Sequence, residues 1–176
     1  MVAPPVRYVT SAIENLRKDD LVLARKQFEP DGPLVLQRIE EVFERTAYQL
    51  TIVTLRSSSG QTQSLYTTNE HPVYVPGRGW VVCRELRAGD ELVEPCGGVS
   101  TVVEARYERH PRGITVYNFR VADSHTYFVR EQDSQAESVW VHNSCLGDAA
   151  ENAIEQNAIR PYQPVVKPLD GHPRSR

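Results

Sequence analysis

The chain has 176 residues, a formal charge of -3 (20 Lys and Arg against 23 Asp and Glu) and three cysteines. Its hydrophobic share of 40% rises to about 46% with glycine, as in an ordinary globular domain. The balanced charge argues against a general nucleic-acid binder, no apolar run approaches the ~18 residues of a membrane span, and three cysteines cannot all pair within the chain.

The N-terminal stretch MVAPPVRYVTSAIENL has no basic start followed by an apolar segment, so no signal peptide is read there. Ser11 to Leu16 is a candidate single turn. From there to Asn143, strand signals dominate: DLVLAR, YQLTIVTLR, QSLYTT, HPVYVP, GWVVC, DELVEP, STVVEARYE, ITVYNFRV, HTYFV and SVWVHN. Each is short, rich in Val, Thr, Tyr and Ile, and bounded by Gly, Pro, Asp or Ser. Tyr48 to Leu55 alternates with period two. Asp148 with Glu151 has capping-box spacing and predicts a short helix over AENAIEQNAI. After Ile159 the four prolines of RPYQPVVKPLDGHPRSR and the lack of a period predict a flexible tail.

The chain also repeats itself weakly. Leu16-Arg17-Lys18-Asp19-Asp20-Leu21-Val22 resembles Leu86-Arg87-Ala88-Gly89-Asp90-Glu91-Leu92. Ile39-Glu40 and Phe43-Glu44-Arg45 match Val103-Glu104 and Tyr107-Glu108-Arg109, and each half then opens a strand with a histidine, His71 in HPVYV and His125 in HTYFV. Chance similarity among β segments is the bland alternative, but three matches in one order favour duplication. Two copies are too few for a solenoid. They predict an all-β domain whose halves pack about a pseudo-twofold axis, with the two His-bearing strands meeting near it.

A single histidine at a strand start is more often structural than catalytic, so chemistry has to be argued from groups. In Val141-His142-Asn143-Ser144 the Asn side-chain amide can attack its own main-chain carbonyl, closing a succinimide and breaking the next peptide bond. Amide nitrogen is a poor nucleophile and an amine a poor leaving group. A fold assists by holding the attack geometry, placing a donor on the carbonyl oxygen and supplying an acid for the departing nitrogen. His142 is a candidate for the second task and a histidine from another strand for the third. Thr68-Asn69-Glu70-His71 could converge on one peptide bond, although it is also ordinary turn chemistry.

These blocks together resemble the Hint domain, the fold shared by inteins and the autoprocessing part of Hedgehog proteins, nearest to the pretoxin Hint domains of bacterial polymorphic toxins and to bacterial intein-like domains. The resemblance runs from about Ala12 to Cys145 through ENLRKDDLVLA, TTNEHPVYV, GRGWVVCRELRAGDELVEP, VYNFRVADSHTYFV and VWVHNSC. It implies a horseshoe-like all-β disk with pseudo-twofold halves. Residue by residue it implies that Thr68 and His71 activate an N-terminal scissile bond. It further implies that His125 assists C-terminal cleavage, that His142 is the penultimate histidine, that Asn143 cyclises and that Ser144 follows the cut. Asp90 is read as a turn residue.

The family's opening Cys or Ser nucleophile has no counterpart: the chain starts Met1-Val2-Ala3-Pro4-Pro5, no Cys precedes Cys83, and Ser11 lies too far inside. Splicing is therefore not expected, whereas the C-terminal half-reaction needs only His125, His142 and Asn143. The expected division is a Hint-like domain over 1–145 and a tail over 146–176. The expected function is self-cleavage after Asn143, with a degenerate, non-catalytic β scaffold or connector as the alternative. The substrate would be the chain itself, as a monomer, with toxin cargo belonging to a longer parent for which a secreted or cell-surface setting is one option. The 33 residues after Asn143 are too few for a typical toxin domain. No CxxC or HxxxH spacing supports zinc, so no metal or cofactor is expected; Cys83 reads as core, and Cys145 as either an alternative acceptor or an echo of the family terminus.

Overall fold

The structure, a computed structural model, describes residues 8–143 and 164–168; the helix expected near Asp148, Ser144 and Cys145 lie outside them. The described chain forms strands β1 (Tyr8–Ala12), β2 (Leu21–Ala24), β3 (Val35–Arg56), β4 (Thr62–Thr67), β5 (Pro72–Val75), β6 (Gly79–Val82), β7 (Glu91–Val93), β8 (Val99–Val121), β9 (Thr126–Val129), β10 (Val139–His142) and β11 (Pro164–Pro168). Two 3-10 turns, Ile13–Asn15 and Cys83–Glu85, complete it. The strands form one sheet in the order β1-β11-β9-β10-β5-β6 and another in the order β2-β3-β8-β7, with β4 on β3.

The duplication is written in hydrogen bonds. After the 3-10 turn, the Arg17 amide donates to the Asp20 carboxylate at 3.0 Å and the Arg87 amide to that of Asp90 at 2.8 Å. The Asp19 and Gly89 amides then donate to Ile39 and Val102 carbonyls, both at 2.8 Å. Ile39 and Val102 return bonds to the Asp20 and Asp90 carbonyls at 2.9 and 2.8 Å. Asp19 at φ 75° and Gly89 at φ 93° share the left-handed conformation that this turn demands. The sequence match of Ile39 with Val103 is thereby corrected by one residue. Period two explains why: Ile39 and Val102 are buried, at 0% and 1% exposure, whereas Val103 faces out at 44%.

Matched positions fill one core from both halves. Ile13 and Cys83, Leu16 and Leu86, and Val22 and Leu92 are all buried and join one cluster with Phe119, Val121, Tyr127 and Val141. A second cluster gathers Leu23, Phe128 and Trp140 under Tyr74 and Trp80.

Two expectations about elements change. STVVEARYE and ITVYNFRV are not separate strands but one long β8, laid antiparallel along β3. The Pro and Gly between them do interrupt pairing: Ala47 faces Ile114 and Gln49 faces Arg109, so residues 110–113 stand opposite Tyr48 alone. Pro111 has no amide to give and Gly113 takes φ 76°, so the excursion absorbs the turn chemistry and the ladder resumes beyond it. The tail read as flexible contains β11, whose backbone pairs with β1 and β9. Pro164 and Pro168 bound that strand, where missing donors are tolerated.

The twin turns give a test. No neighbouring atom lies within 4 Å of a Cβ built on Gly89, so only its backbone restricts substitution. Gly89→Val should cost about 1–2 kcal/mol, and Gly89→Asp, which copies Asp19, less. Urea unfolding followed by fluorescence measures both; equal costs would contradict the turn equivalence.

Candidate active site

Asn143 directly follows β10 and is buried, at 2% exposure. Its amide donates to the His125 main-chain oxygen at 2.9 Å. His125 and Asp123 both hold left-handed φ angles, 57° and 55°, in the turn between β8 and β9. Such angles are disfavoured for residues with a Cβ, and here they turn the chain so that the His125 carbonyl meets Asn143. The first half has the same bond: the Cys83 amide donates to the His71 carbonyl at 2.9 Å. Asn143 thus makes with His125 the main-chain bond that Cys83 makes with His71, although the repeat matches Cys83 with Ile13.

The main-chain oxygen of Asn143 accepts a bond from Asn118 Nδ2 at 2.6 Å, and Asn118 Oδ1 accepts the Tyr127 hydroxyl at 3.0 Å. The chemistry fixes this orientation. A carbonyl oxygen can only accept, so Asn118 must turn its nitrogen to Asn143 and its oxygen to Tyr127, which then donates. Burial pushes the Tyr127 hydroxyl well above its ordinary range, because the phenolate would lose its hydration, so the hydroxyl keeps its proton. The Asn143 Nδ2 donates to the Val121 carbonyl at 3.5 Å. Asn118 and Val121 come from β8, Tyr127 from β9 and Asn143 from just past β10, so three strands build the constellation.

His142 lies one residue away in different company. Its Nε2 is 2.7 Å from Gln27 Oε1, and its ring meets Trp80 edge-on with centroids 5.0 Å apart. Trp80 Nε1 donates to the Gln27 main-chain oxygen at 2.9 Å, so Gln27 holds both rings. The main-chain oxygen of Asn143, where the sequence suggests His142 as donor, takes a hydrogen bond from Asn118.

Thr68 and His71 close a turn in which the His71 amide donates to the Thr68 oxygen at 3.2 Å. The Asn69 side chain accepts the Thr51 hydroxyl at 2.8 Å, and Glu70 pairs with Arg84, which pins the turn to β3 and to the second 3-10 turn. Thr68 lines a cleft with Arg45, Tyr48, Gln49 and Glu70. His71 is fully buried, its ring edge-on to Tyr127 at 6.5 Å between centroids. Tyr127 therefore stands between the two halves, packed tilted on Phe119 at 4.3 Å as well. Cys83 is also buried, and loss of hydration pushes its thiol up to about 12.

Asn118 and Tyr127 are the residues that reading the sequence for chemistry overlooks. Both lie inside VYNFRVADSHTYFV, and the available signal is an uncharged amide at a buried strand position, where it has to find a partner.

Residues 6–144 match the family model described as the pretoxin HINT domain. Among solved structures, a bacterial intein-like domain from Clostridium thermocellum is 32% identical over 76% of this chain and 88% of its own, with a TM-score of 0.63. The gp41-1 intein is 16% identical over 74% and 85%, TM-score 0.53. The Mvu mini-intein of transcription factor IIB is 14% identical over 74% and 83%, TM-score 0.53. The last two show a shared fold. No curated protein matches the chain.

The thiols offer a direct check of the packing around the site. Cys83 and Cys96 are both free, one buried and one exposed. Because the thiolate is the nucleophile and Cys83 keeps its proton up to about pH 12, iodoacetamide at mildly alkaline pH should label Cys96 and spare Cys83 until denaturant is added. Peptide mass mapping reads the result, and equal native labelling would contradict the buried site.

Proposed function

The chain belongs to the pretoxin HINT domain family, and from that membership we propose that it cuts its own backbone after Asn143 by asparagine cyclisation. In the step, Asn143 Nδ2 gives up one of its two protons as it attacks the Asn143 main-chain carbon, and negative charge develops on the carbonyl oxygen. The C–N bond to Ser144 then breaks, and the departing nitrogen takes a proton. One product ends in a succinimide at residue 143, and the other begins with the free amine of Ser144.

The observation that carries this reading is the Asn118 Nδ2 contact, at 2.6 Å, with the oxygen on which charge would develop. A preorganised donor there counts most in the transition state, because nothing needs to reorient as charge appears. Tyr127 holds that donor in place, and the left-handed turn at His125 holds the Asn143 backbone. His125 is assigned as acid to the departing nitrogen. His142, clamped by Gln27 and Trp80, is assigned to holding the end of β10 in register. Thr68 and His71 are assigned, by the family pattern, to an N-terminal scissile bond, and Ser144 to the first residue after the cut. The substrate is the chain itself, and the division between domain and tail falls at the cut. In a longer parent the reaction would sever the covalent link to whatever follows.

Intact-mass measurement tests this. The purified chain should lose its 33-residue C-terminal segment over time, and Asn143→Ala should stay whole. Asn118→Ala should slow the cut by about 10²–10³-fold, the usual effect of deleting one such donor. Tyr127→Phe keeps the ring and should slow it less, and His142→Ala should slow it too. Thermal unfolding of each variant separates loss of rate from loss of fold. Because the Tyr127 hydroxyl ionises only well above 10.0, the rate should show no downturn from that group between neutral pH and pH 10. A wild-type chain that stays intact for days would favour the inert scaffold.

A further inference from the structure

We infer that the segment beyond Asn143 stays bound to the domain after the cut, held as an inserted strand, so that cleavage and release are separate events. The inference takes the cut from the reading above, but the docking it describes stands on β11 alone.

β11 sits inside a sheet and is paired on both edges. On one side its residues run antiparallel to β1, from Tyr8↔Pro168 through Thr10↔Val166 to Ala12↔Pro164. On the other, Val165 faces Val129 of β9. Beyond β9 lies β10, the strand that ends at the cut. The upstream and downstream flanks of the cut are therefore held in one sheet.

The pseudo-symmetry makes this position informative. β6 leads into the 3-10 turn Cys83–Glu85 as β1 leads into Ile13–Asn15, and β5 follows His71 as β9 follows His125. At one junction between the halves the corresponding strands pair directly, β5 with β6, from Pro72↔Val82 to Val75↔Gly79. At the other junction the counterparts β9 and β1 are not neighbours in the sheet, because β11 stands between them. The downstream segment fills a gap that the duplicated architecture would otherwise close on itself. Arg130 Nη2, just past β9, reaches Thr10 Oγ1 on β1 at 3.3 Å and bridges the gap's two walls.

The occupant suits the place. A five-residue strand with a proline at each end offers only the Val165, Val166 and Lys167 amides, and an interior strand can use donors on both edges. This is recognition by strand addition, with main-chain bonds on both sides. Both walls belong to the domain upstream of the cut, so breaking the Asn143–Ser144 bond removes a tether and none of these pairings.

The test nicks the chain without relying on self-cleavage. In full-length Asn143→Ala, residues 150–156 are replaced by a recognition sequence for a site-specific protease, which then cuts there. The fragment carrying β11 should co-elute with the domain on size exclusion and appear with it in native mass spectra. Hydrogen exchange at Val165, Val166 and Lys167 should remain at least about tenfold slower than in the isolated peptide, as for bonded strand amides. Val166→Pro deletes a central amide and should weaken retention by about tenfold or more, while intrinsic tryptophan fluorescence reports an unchanged core. Prompt separation of the nicked wild-type segment, or equal retention with Val166→Pro, would overturn the docking. Neither outcome depends on whether Asn143 reacts, so failure here and failure of self-cleavage are read independently.

Discussion

Everything about the site hangs on one main-chain hydrogen bond made twice. The strand entering each half from a histidine presents that histidine's carbonyl, and the residue following the returning strand donates its amide to it. His71 receives Cys83, and His125 receives Asn143, each at 2.9 Å. The main-chain bond is the same, so the difference between the two corners lies in the side chains placed there. In one corner a buried thiol is kept protonated by loss of hydration. In the other a side-chain amide stands beside its own carbonyl, and a neighbouring amide holds that carbonyl's oxygen.

Tyr127 links these corners. Its hydroxyl sets the Asn118 amide, and its ring packs near the buried His71 of the opposite half. A tyrosine suits this place because its ring fills core volume while its one polar atom remains bonded. The arrangement also explains how so polar a corner can sit inside a close-packed β core. The polar groups named there satisfy one another in a chain from Tyr127 through Asn118 to Asn143.

Much of this was legible in the sequence, for physical reasons. Strands announced themselves through period two and β-branched residues, and the twin turns through Asp20 and Asp90, whose carboxylates must cap nearby amides. The all-β fold and the duplicated halves could be read from those signals, and the family from the resemblance of the blocks that carry them. Register could not be read as well: Ile39 aligned with Val103 by eye because both are apolar, and only the facing of the strand shows Val102 to be the partner. The β11 strand was hidden because its bonds are main-chain bonds to segments far away in sequence, which leave no side-chain period. Asn143 and His125 stood out by neighbourhood and spacing. Asn118 did not, because an amide inside VYNFRV looks the same whether its partner is a structural carbonyl or a reacting one.

The excursion at residues 110–113 has a consequence for how this architecture can be altered. On either side of it the β3–β8 ladder keeps its pairing, with Ala47 on Ile114 and Gln49 on Arg109, although four residues on one strand oppose one on the other. The ladder does not count residues at that point. It is a seam, where chain can be spliced in or trimmed without propagating an offset toward Asn118, which pairs with Phe43 further along. A reporter domain or affinity handle grafted there would travel with the molecule and leave the contact of Asn118 with Asn143 on its original footing.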